Sequence, residues 1–588
     1  MSTETKYPFC NPEIWAGLEC TINRVDEHFR DQLADTGHYQ RPGDIAAFAE
    51  LGIKKIRYPI LWEQHQPGKD GRTNWRWISG KLEELRKSNI VPIAGLLHHG
   101  SGPVGTDLLQ DEFPVKLAAY AATVATRFPW IEYYTPVNEP LTTARFSGLY
   151  GFWYPHRQDE FSYVKMLLNQ VKAIILCMEA IRKINPQAKL VQTEDLAKTH
   201  STALLAYQAE FENQRRWLTY DLLCGKFTAD HFFWNYFLQL GIKESELNFF
   251  TTHCCTPDII GFNYYATSER YLDENIAAYE QHLHGGNHQH RYADTDAVRS
   301  GRMEGLATLL SEAWQRYQLP MAVTECHLNC TREEQMRWLH ELWTASCRLN
   351  AAGIPVKAVT AWALLGAYDW DSLLLEKNHR YESGIFDAAS GALRPTILAK
   401  MITQYARGKS FHHPLLEKNG WWHSRSPGAR GTRNSRPLLI IGDEHARQST
   451  FIAACENRGI FTVCIASEDV LATVKDIRRL VNQYQSWSVL LMDCMPVVEE
   501  LEAFSLEQPR VSVMLPCENF SAVMVRESEN SGVLLVENNA LHYSKFVDYA
   551  LDLLIDEEKG CWQITDTGAT KLAGDFVKGL NVEKILYR

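Results

Sequence analysis

From about residue 9 to residue 406, short and nearly uninterrupted apolar runs alternate with longer stretches whose apolar positions recur every three or four residues. The short runs predict strands at Phe9–Ala16, Lys54–Pro59, Val91–His98, Tyr133–Asn138, Lys189–Glu194, Asp258–Tyr265, Met321–Thr324 and Ala358–Ala363. Near-continuous apolar runs suit parallel strands that are covered on both faces. The periodic stretches, including Gly80–Ser88, Pro114–Arg127, Ser162–Ile184 and Arg332–Ala352, predict helices that fall between the strands. Eight such alternations in about 400 residues predict an α/β fold, an expanded (β/α)8 barrel over residues 1–406.

The pattern breaks down after Ala406. The segment SRSPGARGTRNSRP is rich in Gly, Pro, Ser and Arg, the composition of an exposed linker, and the linker is expected over residues 407–435. Alternation resumes with PLLIIG as a strand, a helix over Gln448–Asn457, FTVCIA as a second strand, and further strands at Trp487–Met492 and Val511–Leu515. Residues 436–588 are therefore expected to form a second, smaller α/β domain.

Composition narrows the function. Hydrophobic residues make up 45% of the 588, enough to bury a large core. A formal charge of -11 argues against nucleic acid or an anionic membrane as partner, because both favour a basic face, and a neutral substrate is easier to reconcile with it. The N-terminal MSTETKYPFC has no basic stretch leading into an apolar one, and no apolar run reaches the ~18 residues of a membrane span, so a cytoplasmic protein is expected. The 14 cysteines are scattered, without C-x-x-C spacing, and read as reduced thiols. The run HLHGGNHQH (His282, His284, His288, His290) reads as a polar loop bordering the substrate entrance; it lacks carboxylate or thiol anchors for a metal. Neither metal nor cofactor is expected.

Chemistry in such a barrel sits at the C-terminal ends of the strands. There the sequence places Arg57 (KKIRYPILW), His98 (GLLHHG), Asn138 and Glu139 (TPVNEP), Asn263 and Tyr265 (GFNYY), Glu325 (AVTEC) and Trp362 (AVTAW). Two carboxylates at one mouth are what glycoside cleavage requires: one protonates the leaving oxygen, and the other attacks the sugar or activates water. An Arg beside one Glu is expected to keep it ionised, while apolar burial raises the other.

These motifs, in order and on the expected strands, resemble glycoside hydrolase family 1, the β-glucosidase and β-galactosidase group, from Phe9 to about Ala399. TPVNEP is similar to that family's T-F-N-E-P, VTEC to I-T-E-N-G, GIKKIRYPILW to G-x-x-x-x-R-F-S-I-S-W, GFNYY to G-x-N-Y-Y, and AWALLGAYDW to A-W-S-L-L-D-N-F-E-W. The resemblance implies a retaining β-glycosidase acting on a carbohydrate, with Glu139 as acid/base and Glu325 as nucleophile oriented by Arg57 and Tyr265. It further implies that Asn138 holds the sugar 2-hydroxyl, that Asn263 supports the acid/base, and that His98, Trp362 and Trp370 line the site of the sugar being released. Asn23, counted on from Trp15, stands where the family has Gln, and Asp369 where it has Glu. His99 replaces the aromatic residue after the strand-three His, and Cys326-His327 replaces Asn-Gly after the nucleophile. The alternatives are a transglycosidase and a non-catalytic carbohydrate-binding protein of polysaccharide biosynthesis.

Residues 436–588 resemble, more weakly, the dTDP-4-dehydrorhamnose reductase group of short-chain dehydrogenases, through RPLLIIG and YALDLLIDEEKGCWQIT. The resemblance implies a Rossmann-like fold. Gly442 stands alone where a Gly-rich turn is needed, and Asp443, Glu444 and His445 follow it. Tyr484, Tyr543 and Tyr549 have no Lys four residues on. A degenerate domain that binds no cofactor is expected, one that supports the barrel, forms a homo-oligomer or docks a partner; the alternative is a bifunctional nucleotide-sugar reductase.

Overall fold

The computed structural model describes residues 11–423 except 69–71 and 390, and then 436–442, 446–466, 474–491 and shorter stretches up to residue 566. The chain divides into two compact units, Met1–Cys330 with Gln335–Phe411, and Thr331–Glu334 with His412–Arg588.

In the first unit a closed barrel is built from β1 (Glu13–Gly17), β2 (Lys55–Pro59), β3 (Val91–Gly95), β4 (Tyr133–Thr135), β5 (Lys189–Asp195), β6 (Ile259–Tyr264), β7 (Met321–Cys326) and β8 (Val356–Ala361). Each strand pairs in parallel with its sequence neighbours, and β1 closes against β8. The apolar runs are buried because helices cover the outside while side chains fill the inside. Trp15, Ile93, Val191 and Ala322, from β1, β3, β5 and β7, cluster inside with Ala358 of β8. Such a layer from alternate strands is how a barrel of this size fills its interior. Outside, the helix Phe113–Arg127 buries Phe113, Leu117, Tyr120, Ala121 and Val124, the spacing of one helical face. It packs on the helix Glu160–Ile184, whose first turn is capped by Asp159 accepting from Ser162 N at 2.7 Å.

Several strands end earlier than their apolar runs. β3 stops at Gly95 and β4 at Thr135, and beyond them His98 and Asn138 pair only through isolated bridges, His98 with Asn138 and Asn138 with Thr193 of β5. Arg57 lies in the middle of β2, and Tyr265 and Trp362 each follow the last residue of their strand. Phe9, the expected start of β1, lies outside the described residues.

The His-containing run is not a plain loop. His284–Gly286 pairs antiparallel with Arg291–Asp296, inside a four-stranded sheet completed by Glu269–Asp273 and Lys198–Ser201. The two glycines let a short strand sit at the edge of that sheet, and Gly286 lies against the backbone of His290 and Arg291. His290 Nδ1 lies 3.0 Å from Tyr207 OH, and His284 Nε2 lies 2.9 Å from Tyr279 O.

In the second unit the strands β9 (Leu438–Ile441), β10 (Thr462–Ile465), β11 (Ser488–Leu491), β12 (Ser512–Leu515), β13 (Phe520–Arg526), β14 (Ser531–Leu535) and β15 (Gly560–Asp566) form one sheet in the order β10-β9-β11-β12-β15-β13-β14. The first five in that order run parallel, and β13 and β14 are antiparallel. Helices Ala446–Asn457 and Val474–Tyr484 make the crossovers among β9, β10 and β11. Part of the expected linker is ordered into 3-10 turns at Pro414–Glu417 and Trp421–His423, with Leu415 and Trp422 buried. Residues 424–435, Asp443 to His445, Tyr543 and Tyr549 lie outside the described residues.

Candidate active site

Side chains alternate in direction along a strand, so a pair of consecutive residues cannot both face the barrel mouth without a break in register. On β7 the register against β6 shifts between Val323 and Glu325. Thr324 and Glu325 are thereby both turned toward β6 and the mouth. Thr324 Oγ1 donates to Asn263 Oδ1 at 2.7 Å, and Tyr265 OH donates to Glu325 Oε2.

Glu139 reaches the same place by a turn. It has φ 46° and ψ 61°, left-handed backbone, immediately before the short helix Pro140–Ala144. That conformation costs a non-glycine residue about 1–2 kcal/mol. It is held by Glu139 N donating to Thr193 O at 3.2 Å and Thr143 N donating to Glu139 O at 3.0 Å. His99 and Asp369 are also left-handed, with φ 54° and 58°. Three such residues at one mouth mark a site whose geometry is imposed by its surroundings.

Arg57 is the hub of the polar network. Its Nη1 donates to Glu325 Oε1 at 2.7 Å and to Thr324 O at 2.8 Å, and its Nη2 donates to Asn138 Oδ1 at 2.5 Å. Its guanidinium lies 4.7 Å from the Trp362 ring, which stacks on His98 at 5.7 Å and 12°. Asn138 Oδ1 also accepts from Thr193 Oγ1 at 2.8 Å, while Asn138 Nδ2 lies 3.3 Å from Nε2 of both His98 and His99. Asn263 Nδ2 donates to Glu139 Oε1 at 2.6 Å.

Both carboxyls are buried, and burial is the first cause that pushes each up. On Glu325 it is opposed by the charge and hydrogen bond of Arg57 and by bonds from Tyr265 and Asn263, yet the carboxyl still titrates above the ordinary range. The expected guanidinium is present, but it offsets desolvation without reversing it. On Glu139 the Asn263 bond opposes burial and the charges of Glu325, Asp195 and Glu194, and the carboxyl is held well above the ordinary range.

Arg57, His98, Asn138, Glu139, Asn263, Tyr265, Glu325 and Trp362 thus form one connected constellation. Trp370 joins it through His99, ring to ring at 5.7 Å, and its indole Nε1 is buried without a hydrogen-bond partner. Asp369 is already engaged: Arg30 Nη2 donates to it at 2.7 Å and Arg380 N at 2.8 Å. Asn23 is fully buried, and both polar atoms of its amide lack a partner. Among the described residues no side-chain hydrogen bond ties Asn23 to the constellation.

Sequence reasoning missed several groups. Arg30 sits directly across the hairpin Ile22–Val25/His28–Asp31 from Asn23, a register that no local motif announces. Thr193 and Asp195 at the end of β5 had no motif, although a polar pair closing an apolar strand was a usable signal. Three further buried carboxyls surround the mouth. Glu19, bonded to Thr21 N at 2.9 Å, is pushed up to about 7, first by burial and then by Glu325. Glu63, accepting from Gly102 N at 2.9 Å, and Glu194, accepting from Leu141 N at 2.8 Å, are each pushed up by burial to about 8. Among the described residues no group of His, Cys, Asp and Glu is arranged to hold a metal, and no helix is long and apolar enough to cross a membrane.

The family model of Glycosyl hydrolase family 1 matches residues 13–379. The chain is similar to aryl-phospho-β-D-glucosidase BglH of Bacillus subtilis (strain 168), 24% identical over 307 residues, which covers 48% of this chain and 64% of that one. The stretch compared is therefore less than two thirds of that relative's length. It is also similar to β-glucosidase A of Acetivibrio thermocellus, 23% identical over 395 residues, covering 61% of this chain and 84% of that one. Among solved structures, a family 1 β-glucosidase from Thermotoga maritima shares the fold at TM-score 0.52 and 16% identity, covering 64% of this chain and 88% of that one. The β-glucosidase from Thermotoga maritima in complex with cyclophellitol does so at TM-score 0.55 and 15% identity, covering 70% of this chain and 100% of that one.

Proposed function

The chain belongs to glycosyl hydrolase family 1, and from that premise we propose that its barrel is a retaining β-glycosidase working by double displacement. The observation that carries the reading is the unequal environment of two buried carboxyls at one mouth. Glu325 is fixed by Arg57 and Tyr265, whereas Glu139 has, among the described residues, a single donor and is held protonated.

Glu325 attacks the anomeric carbon as Glu139 protonates the departing glycosidic oxygen, leaving a glycosyl ester on Glu325 and a carboxylate at Glu139. That carboxylate then takes a proton from water as the water attacks the anomeric carbon, and the sugar leaves with its β-configuration retained. Tyr265 and Arg57 hold the nucleophile in line throughout and accept its return as a leaving group. Asn138, fixed by Arg57 and Thr193, presents its amide to the sugar 2-hydroxyl. His98, Trp362 and Trp370 form the wall against which the sugar rests, and Asn23 offers a free amide to its outer hydroxyls. Asp369 works together with Arg30, so the contacts of this sugar differ from those of a Glu at that position.

The names of the relatives suggest the first substrates: aryl-phospho-β-D-glucosides and unphosphorylated β-glucosides. Hydrolysis of a chromogenic β-glycoside panel by the wild type, its loss in Glu325→Gln, and an initially β product by NMR are the expected results. An α product, or undiminished turnover in Glu325→Gln, overturns the assignment.

Residues 436–588, within the second unit, are read as a degenerate Rossmann-like domain related to the dTDP-4-dehydrorhamnose reductases, joined to a barrel of residues 1–406 through 407–435. Its support is the parallel sheet with β9 flanked by β10 and β11, and helical crossovers between them. Its role is structural, through a homo-oligomer or a docked partner, in a cytoplasmic protein.

A further inference from the structure

We propose that His99 is a positioning residue for the acid/base carboxyl, its Nε2 lone pair keeping Glu139 protonated until the glycosidic oxygen takes the proton. The proposal rests on the reading of Glu139 as the acid/base and goes beyond it, because an aromatic residue stands at this place in the family the chain resembles.

The hydrogen-bond geometry fixes the tautomer. Asn138 Oδ1 accepts from Arg57 Nη2 at 2.5 Å and Thr193 Oγ1 at 2.8 Å, so the other end of that amide is the donor. Asn138 Nδ2 lies 3.3 Å from His99 Nε2, which must therefore present a lone pair. The ring proton then sits on Nδ1, which donates to Thr143 Oγ1 at 3.0 Å. The same Nε2 lies 3.7 Å from Glu139 Oε2. Glu139 Oε1 accepts from Asn263 Nδ2 at 2.6 Å, so the proton of Glu139 resides on Oε2, the oxygen that faces His99.

A lone pair facing that oxygen favours the protonated acid and disfavours the carboxylate, which would set two electron-rich atoms against each other. The imidazole is uncharged at working pH: burial first, then Arg57, pushes it down to about 3. The other groups facing His99 are the His98 ring, itself pushed well down, the rings of Trp153 and Trp370, and Arg57. Those facing Glu139 from β5 and β7 are Glu194, Asp195 and Glu325, all carboxyls that act in the same direction as the lone pair. Thr143 controls the arrangement while its hydroxyl is bonded to His99 and not to the catalytic carboxyls. Without its hydroxyl, the Nδ1 proton loses its acceptor, and the ring is no longer held with Nε2 toward Glu139 Oε2.

The test is the pH dependence of kcat/KM on a β-glycoside for wild type, Thr143→Val, Thr143→Ser and His99→Asn, the last because Asn tolerates the left-handed backbone. The alkaline limb reports the acid in the free enzyme. It should move to lower pH by about half a unit or more in Thr143→Val and His99→Asn, a roughly threefold change in ionisation constant, and return with Thr143→Ser. A 13C-carboxyl NMR titration of Glu139, assigned through Glu139→Gln, should show the same displacement and needs no turnover. An unchanged or raised midpoint in Thr143→Val or His99→Asn overturns the proposal. Absence of wild-type glycosidase activity overturns the acid/base reading instead, while the carboxyl titration still decides the role of His99.

Discussion

Arg57 shows how much of this site is decided by single side chains. One guanidinium holds Glu325, the Thr324 carbonyl and Asn138 at once, and among the described residues no other cation bonds the nucleophile. Removing Glu325 should therefore remove the covalent route and little else. Glu325→Ala is expected to lose roughly 10^4-fold or more in kcat. Azide should restore part of it, by entering the vacated space and giving an α-glycosyl azide, which NMR identifies. Rescue without inversion, or activity undiminished in Glu325→Ala, would show the wrong residue was named. At this scale the sequence disclosed what short motifs can disclose. Glu139 is followed by Pro140, and Glu325 ends an apolar strand, so both stood out. Arg30 did not, because its place depends on a hairpin register with Asn23 and a reach across the fold to Asp369. His99 was visible as a departure, but its contact with Glu139 depends on the left-handed backbone of both residues.

Strands were legible because a parallel barrel buries both faces of each, and burial writes a continuous apolar run. Where they stop was less so: Leu96, Leu97 and Val137 are as buried as the strands they follow, so hydrophobicity continues after the ladder has ended. The break in register that turns Glu325 inward leaves no compositional trace, since Ala322, Val323 and Thr324 are ordinary strand residues. Gly261 on β6 does leave one. A Cβ there would lie 2.7 Å from Thr324 Cγ2, 2.9 Å from Gln192 O and 2.9 Å from Thr193 Cγ2. Gly261→Ala should destabilise the barrel by about 1–3 kcal/mol through overpacking. Calorimetry should show a lower unfolding temperature, and an unchanged one would mean that β5 and β7 yield freely at this point. Because Thr324 also holds Asn263, activity should fall with stability.

For the chain as a whole, the change from barrel to second α/β unit was legible in composition, but the order β10-β9-β11-β12-β15-β13-β14 was not, because strand order is set by long-range pairing. A dinucleotide needs backbone N–H groups unobstructed at the first turn, and Asp443, Glu444 and His445 follow Gly442 there. Titration calorimetry of the full chain should give no saturable heat with NADH or NADPH; micromolar binding would overturn the degenerate reading. The carboxyls packed around the barrel mouth have one more consequence: folding takes up protons. Glu19, Glu63 and Glu194 titrate at about 7, 8 and 8 in the folded chain, against roughly 4.3 when unfolded. Their contribution to stability is therefore fully present below the unfolded value and is lost as pH rises through the folded ones. The buried histidines His38, His65, His98 and His99 are all pushed down, so theirs is present above about 6.5 and lost only as pH falls. The two sets oppose each other on the acid side, and from about pH 6.5 to 8 the carboxyls act alone. Over that interval the unfolding temperature should fall, less steeply in Glu63→Gln, and a rise would mean these carboxyls are ionised in the native barrel. The alkaline side of neutrality is thus where this barrel loses stability first, whatever sugar it cleaves.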